Sequence, residues 1–263
     1  EEEILSVERA AALYRTSIAT VALHALPIPL QHVAASDSAV KQNTPHAIEK
    51  RTAPNPLLRT GTTVAVWNEH QQRDAALQSL ASLVIARGQS LLCCTPHRVR
   101  IPALEALFRG VAPVTIIDRT TARGAAWHAA VAARMRPGVL VGTRAAVWTA
   151  PPTLGAIVID GAESDDLAQW DADPRYDART VAQWTTTHRN IPLIFLSHTP
   201  RVIDWARANH RVELGTTPPY DPAIIDLRHH WRAGGHGSIT AEAYEHIDRA
   251  RGAGQTAVLL HNR

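Results

Sequence analysis

Lysine is nearly missing from this 263-residue chain: Lys41 and Lys50 are the only two, so 25 of its 27 basic residues are arginines. Cysteine is limited to the adjacent pair Cys93 and Cys94, which excludes a disulfide scaffold and any four-thiolate zinc site. No apolar run approaches the roughly eighteen residues needed to cross a bilayer. The chain opens Glu1-Glu2-Glu3, which is no signal peptide. Low hydrophobicity is also lacking. With 45% hydrophobic residues, the composition excludes a disordered chain, and without a glycine period it excludes a collagen-like one.

What is there is an uneven charge. The net charge of +3 hides a basic block from Arg87 to Arg144, with nine arginines against Glu105 and Asp118. An acidic block follows from Asp160 to Arg179, with seven acids against Arg175 and Arg179. Such an arrangement fits a footprint for a polyanion, and it equally fits ordinary solvated faces.

The chain reads as pieces of different kinds. Residues 5–27 carry apolar residues near a 3.6 period (Leu5, Ala12, Leu13, Ile18, Val21 and Ala22) and predict a helix stopped by Pro27 and Pro29. Residues 31–56 are polar, proline-bearing and aperiodic, and predict a linker. Beyond them strands and helices alternate. Strands are expected at Thr62–Trp67, Ser90–Cys94, Pro113–Ile117, Val139–Val141, Ala156–Ile159 and Leu193–Leu196. Helices are expected at Glu69–Arg87, Ile101–Arg109, Thr121–Met135, Asp177–His188 and Val202–Asn209. That alternation predicts an α/β fold whose parallel sheet is covered by helices on both faces. Three prolines between Gly215 and Pro222 mark a boundary. A further strand at Ala223–Asp226, a helix at Ile239–Arg251 and a strand at Thr256–Leu260 then begin a second unit. Such a strand–helix–strand cannot bury a core of its own, so the chain reads as a piece of a longer protein.

Three motifs end predicted strands: Gly142-Thr143-Arg144, Asp160-Gly161-Ala162-Glu163 and Ser197-His198-Thr199-Pro200. In an open parallel sheet, ligands bind beyond the carboxyl ends of the strands, where all three would lie. Other groups read as structural. His229, His230 and His236 lie in a segment expected to be an exposed loop rather than a metal site. Asp165, Asp166, Asp171 and Asp173 read as a solvated acidic loop rather than a chelate. The seven tryptophans (67, 127, 148, 170, 184, 205 and 231) include candidates to stack bases, but most fall inside predicted elements and read as core.

Taken in order, the stretches VLVGTRAAVW, AIVIDGAESDD, PRYDARTVA, IFLSHTPRVID, IIDLR and AVLLHNR resemble the helicase region of the primosomal protein N′ (PriA) family, whose patterns there run IGTRSALF, IIVDEEHD, PRYHARDVA, GSATPS, VVDLR and LLFLNRRG. The resemblance runs from Thr63 to Arg263, with a weaker likeness between residues 5–27 and the segment before the family's winged helix. It implies a helical remnant over residues 1–30 and a linker with a shortened or missing winged helix over 31–60. It further implies a RecA-like helicase lobe over 61–215 and the start of a second over 216–263. The function implied is replication restart: DNA binding at stalled or forked sites and recruitment of primosome proteins and single-strand binding protein. The location implied is cytoplasmic and nucleoid-associated, without a membrane.

The resemblance also shows departures. The family's phosphate loop, GSGKT, corresponds here to residues 68–74, NEHQQRD, which has neither glycine nor lysine. Counting back from Gly88 puts Arg73 and Asp74 where the family has Lys and Thr, and the match of the family's DEEH to Asp160-Gly161-Ala162-Glu163 puts Asp160 where it has its metal-holding Asp. The family's water-activating Glu is Gly161. These changes predict that ATP and magnesium, the family's cofactors, are not used, and that no catalytic residue remains. The family's zinc site falls outside these residues. By the same resemblance Gly142, Thr143, Arg144, Arg98 and Arg100 are the expected DNA contacts, Ser197 and Thr199 the expected coupling motif, and Pro174, Arg175, Tyr176 and Arg179 structural. For Arg144 a packing role against the acidic loop stands as the alternative. Two other functions remain open: a working ATP-dependent 3′–5′ DNA helicase using Arg73 and Asp160, and a protein scaffold whose acidic loop is the docking surface.

Overall fold

The computed structural model describes residues 55–117, 136–171, 173–215, 226–234 and 239–259. The helix expected over residues 5–27, the linker up to residue 54, the helix expected at Thr121–Met135, Trp127 and His236 lie outside them. The chain divides into two compact units, Glu1–Thr216 and Thr217–Arg263.

In the first unit the elements run β1 (Gly61–Trp67), α1 (His70–Ala86), β2 (Ser90–Cys94), α2 (Ile101–Arg109), β3 (Val114–Ile117), β4 (Val139–Gly142) and β5 (Leu154–Asp160). A two-stranded antiparallel ribbon follows, β6 (Ala168–Gln169) with β7 (Tyr176–Asp177). Then come α3 (Ala178–Arg189), β8 (Pro192–Ser197), α4 (Val202–Arg207) and β9 (His210–Leu214). Seven strands form one sheet in the order β3-β4-β2-β5-β8-β1-β9, and every pairing is parallel. This is the α/β fold with a parallel sheet between helices that the sequence predicts.

The central strands are buried on both faces because helices cover both. Alternate residues feed two cores. On one face Ala65, Leu91, Cys93, Val141, Val158 and Ile194 pack with Leu77, Leu80 and Val84 of α1 and with Leu104 and Phe108 of α2. On the other, Val64, Leu92, Cys94, Ile157, Ile159 and Phe195 pack with Val181 and Ala182 of α3 and with the turn Arg144–Trp148. Each fully buried Leu, Ile or Phe in these layers stabilises by about 1.5–3 kcal/mol. Cys93 and Cys94 point to opposite faces, and burial pushes both thiols well above their usual range. They are therefore inert packing groups.

β9 was not among the expected strands. Its residues alternate between half-buried and exposed, as suits the edge of the sheet. In the second unit, α5 (Leu227–Arg232) is capped by Asp226 and α6 (Ala241–Gly252) by Thr240. Two expectations change here. His229 and His230 lie on α5 rather than in a loop. Residues 256–259 form no strand, and Val258 and Leu259 are exposed. A strand forms only beside a partner, and no described residue of this unit supplies one.

Candidate functional site

Because all seven strands are parallel, their carboxyl ends share one side. Trp67, Cys94, Gly142, Asp160 and Ser197 are the last residues of β1, β2, β4, β5 and β8. This is where an open parallel sheet binds its ligand.

Asn68 and Glu69 alone separate β1 from α1. The Gln72 side-chain oxygen accepts from the backbone N–H of Asn68 and of Glu69, each at 3.3 Å, and Glu69 and Gln72 form a reciprocal capping box. A phosphate-gripping loop presents unpaired amides at this point. Here the helix begins at once, and its own side chains occupy those amides. Arg73 and Asp74 consequently lie inside α1 rather than at its entry.

Those two residues join a partly buried ion network. Arg73 is 8% exposed, and its guanidinium lies 4.6 Å over the Trp67 ring while its Nε donates to Asp74 at 3.2 Å. Arg100 reaches in from the turn after β2, its Nη2 donating to Asp74 at 2.5 Å and its Nε to Asp160 at 3.4 Å. Asp160 is 3% exposed. Burial pushes its carboxyl above the usual range, against the opposing pull of Arg73 and Arg100. Trp67 closes the cluster, with His70 and His198 rings 5.2 Å and 5.1 Å from its own.

Arg100 therefore departs from its expected place at a DNA-contacting tip. Two carboxylates draw it inward, and its side chain is 20% exposed. The amides of Asn68, Glu69 and Gln72 are engaged by the cap, and the Asp160 carboxylate pairs with the Arg100 guanidinium. Gly161 has φ +85°, and a Cβ there would stand 3.2 Å from Pro96 Cγ, so the turn after Asp160 suits glycine and not a glutamate. Among the described residues no group of three or more His, Cys, Asp or Glu side chains is placed to hold a metal ion.

The remaining expected residues are spread along the same rim. Ser197 is buried and donates from Oγ to Glu163 at 2.6 Å, whereas Thr199 is exposed. Gly142 is a packing residue, because a Cβ there would collide with the Ile117 carbonyl and the Ala146 side chain. Thr143 is half-buried. Arg144 turns toward the acidic loop, donating to the Asp166 carbonyl at 3.3 Å and standing 3.5 Å from Asp171. That is the packing alternative read from the sequence. Arg98 is exposed. Arg179, 4% exposed, clasps Asp177 and donates to the carbonyls of Ala162 and Ser164 at 2.7 Å and 3.2 Å, so it does orient the loop after Asp160. Tyr176 meets Trp148 edge-on at 5.3 Å.

Sequence reasoning missed the cap made by Glu69 and Gln72 and the contacts of Trp67 with Arg73, His70 and His198. The i, i+3 spacing of Glu69 and Gln72 before an apolar helix is the signal that carries the cap. Nothing local announces the stacking of Arg73 on Trp67.

No known protein-family profile matches the chain. It is 26% identical over 202 residues to the replication restart protein PriA of Bacillus subtilis, an overlap of 71% of this chain and 24% of that protein. It is 24% identical over 204 residues to PriA of a Synechocystis strain, covering 68% of this chain and 23% of that protein. The chain thus spans about a quarter of the length of these curated relatives. Among solved structures, the Hef helicase domain of Pyrococcus furiosus superposes with a TM-score of 0.45 at 14% identity, covering 61% of this chain and 35% of that one. The second domain of the DEAD-box helicase Mss116p, bound to an RNA duplex, gives 0.43 at 12% identity, covering 62% and 65%. Over the aligned residues the chain is similar in sequence to these two PriA proteins.

Proposed function

We propose that the chain belongs to replication-restart machinery and works there without hydrolysing ATP. In this reading it holds DNA at stalled or forked sites and brings primosome proteins and single-strand binding protein to them. The similarity to PriA supports the setting. One observation supports the silence: the guanidinium of Arg100 pairs with Asp160 in front of a capped helix. Phosphoryl transfer is catalysed almost wholly by positioning and charge stabilisation, so a site that cannot seat the phosphates has little left to offer. For DNA contact, exposed Arg98 and the Thr143–Arg144 pair are the proposed phosphate partners, with Arg144 exchanging Asp171 for the backbone. Ser197 then serves to tie two loops together rather than to couple hydrolysis to movement.

The test uses the full-length protein. Expected are no binding of a fluorescent ATP analogue with magnesium and no DNA-stimulated phosphate release, together with forked-DNA binding that weakens steeply as salt rises. Phosphate release that depends on DNA and vanishes in Asp160→Asn would instead establish a motor. DNA affinity unchanged by Arg144→Ala would remove that residue from the contact surface.

A further inference from the structure

Beyond the closed nucleotide site, the β6–β7 ribbon presents an exposed tryptophan that none of the preceding roles uses. Trp170 is 76% exposed, a rare state for so large an apolar side chain. Its exposure is built into the fold rather than left to a loose loop. Gln169, the residue before it, is 4% exposed and donates to the Pro174 carbonyl at 2.8 Å across the ribbon. Tyr176 is anchored on Trp148, and Arg179 clamps the ribbon's base through Asp177. Val99, 89% exposed, stands on the neighbouring turn, whose His97 ring lies 3.9 Å from Asp166.

The charge around this apolar anchor is of one predominant sign. Asp165, Asp166, Asp171 and Asp173 are all exposed, and the stretch from Asp160 to Arg179 carries seven acids against two arginines. The nearby cations are Arg98, Arg144, Arg175 and His97, of which Arg144 and His97 already face carboxylates of this loop. A phosphate chain laid on Trp170 would meet these carboxylates within a Debye length of about 8–10 Å. A cationic segment would be drawn to them.

We propose that Trp170 and the surrounding Asp165, Asp166, Asp171 and Asp173 form a docking surface for a basic peptide segment of a partner protein, with an aliphatic or aromatic residue of that segment packed on the indole. The proposal goes beyond the function above and stands whether or not the chain binds DNA. Tryptophan is among the commonest energetic anchors of interfaces, and rim carboxylates supply steering and selectivity.

The experiment measures fluorescence anisotropy of a labelled hexapeptide of alternating Arg and Leu against the full chain at about 0.1 M salt. Saturable binding is expected, weakened at least about tenfold by Trp170→Ala and also weakened when Ser replaces Leu in the peptide. The double change Asp171→Asn with Asp173→Asn weakens it too, whereas Trp231→Ala, at another exposed tryptophan, leaves it intact. Binding indifferent to Trp170→Ala overturns the proposal. So does Trp170-dependent binding of oligo(dT), which would make the rim a nucleic-acid platform. Self-association of the chain that disappears in Trp170→Ala overturns it as well, since the occupant would then be a second copy.

Discussion

At the scale of single residues, Asp160 is a buried carboxylate held among guanidiniums. It ends a fully buried strand, and it is held by Arg100 in a pocket that also contains Arg73. Burial raises its carboxyl above the ordinary range, so the ionised form is the costlier one in the folded state. Stability from this group is fully present below the unfolded carboxyl value and is lost as pH rises through the raised folded one. The neutral Asn of Asp160→Asn does not titrate. The stability of the native protein relative to that variant should therefore grow as pH is lowered from neutral toward the ordinary carboxyl range, measured by urea unfolding at several pH values. A gap that is flat or shrinks on acidification would contradict the assignment. Gly161 gives a second test. Restoring a glutamate with Gly161→Glu places a side chain at φ +85° and 3.2 Å from Pro96 Cγ. That should cost about 1–3 kcal/mol and yield no phosphate release, because the capped helix before it is unchanged.

At the scale of elements, the strands were the most legible part of the sequence. Ser90–Cys94 is five consecutive buried residues, and a short apolar run bounded by Gly88 and Pro96 has few other readings. β9 escaped because His210, Arg211 and Glu213 break its apolar pattern, as an edge strand permits. The two-residue strands of the ribbon are too short to carry any period. The candidate site was legible where it depended on what is missing, the glycines and the lysine of residues 68–74. It was illegible where it depended on contacts across the chain, since Arg100 meets Asp74 and Asp160 at sequence separations of 26 and 60 residues. Arg179 sits between these cases, marked by resemblance and explained by geometry. Its loss in Arg179→Met leaves the carbonyls of Ala162 and Ser164 without their donor and Asp177 without its clasp. Destabilisation of about 2–4 kcal/mol is expected. Faster hydrogen exchange confined to residues 161–167 would show that the loop is what Arg179 holds. Uniform exchange across the sheet would show a merely global effect.

At the scale of the molecule, the described hydrophobic cores belong to the first unit. The seven-stranded sheet and both hydrophobic cores lie within Glu1–Thr216, whereas the buried residue described in Thr217–Arg263 is Thr240, the cap of α6. A chain ending at Thr216 should therefore melt within a few degrees of the longer one, because about 1 kcal/mol corresponds to roughly 2–4 °C for a domain of this size. Scanning calorimetry of the two proteins side by side decides this, and a fall of ten degrees or more would contradict it. The same thermograms carry the site's signature. A ligand that binds only the folded state at a hundred times its Kd raises stability by about 2.7 kcal/mol. Millimolar magnesium and ATP should leave both melting temperatures where they were, since the guanidinium of Arg100 and the cap at Gln72 are intact in each. An upward shift common to the two chains would place a nucleotide in the first unit and reopen the motor reading.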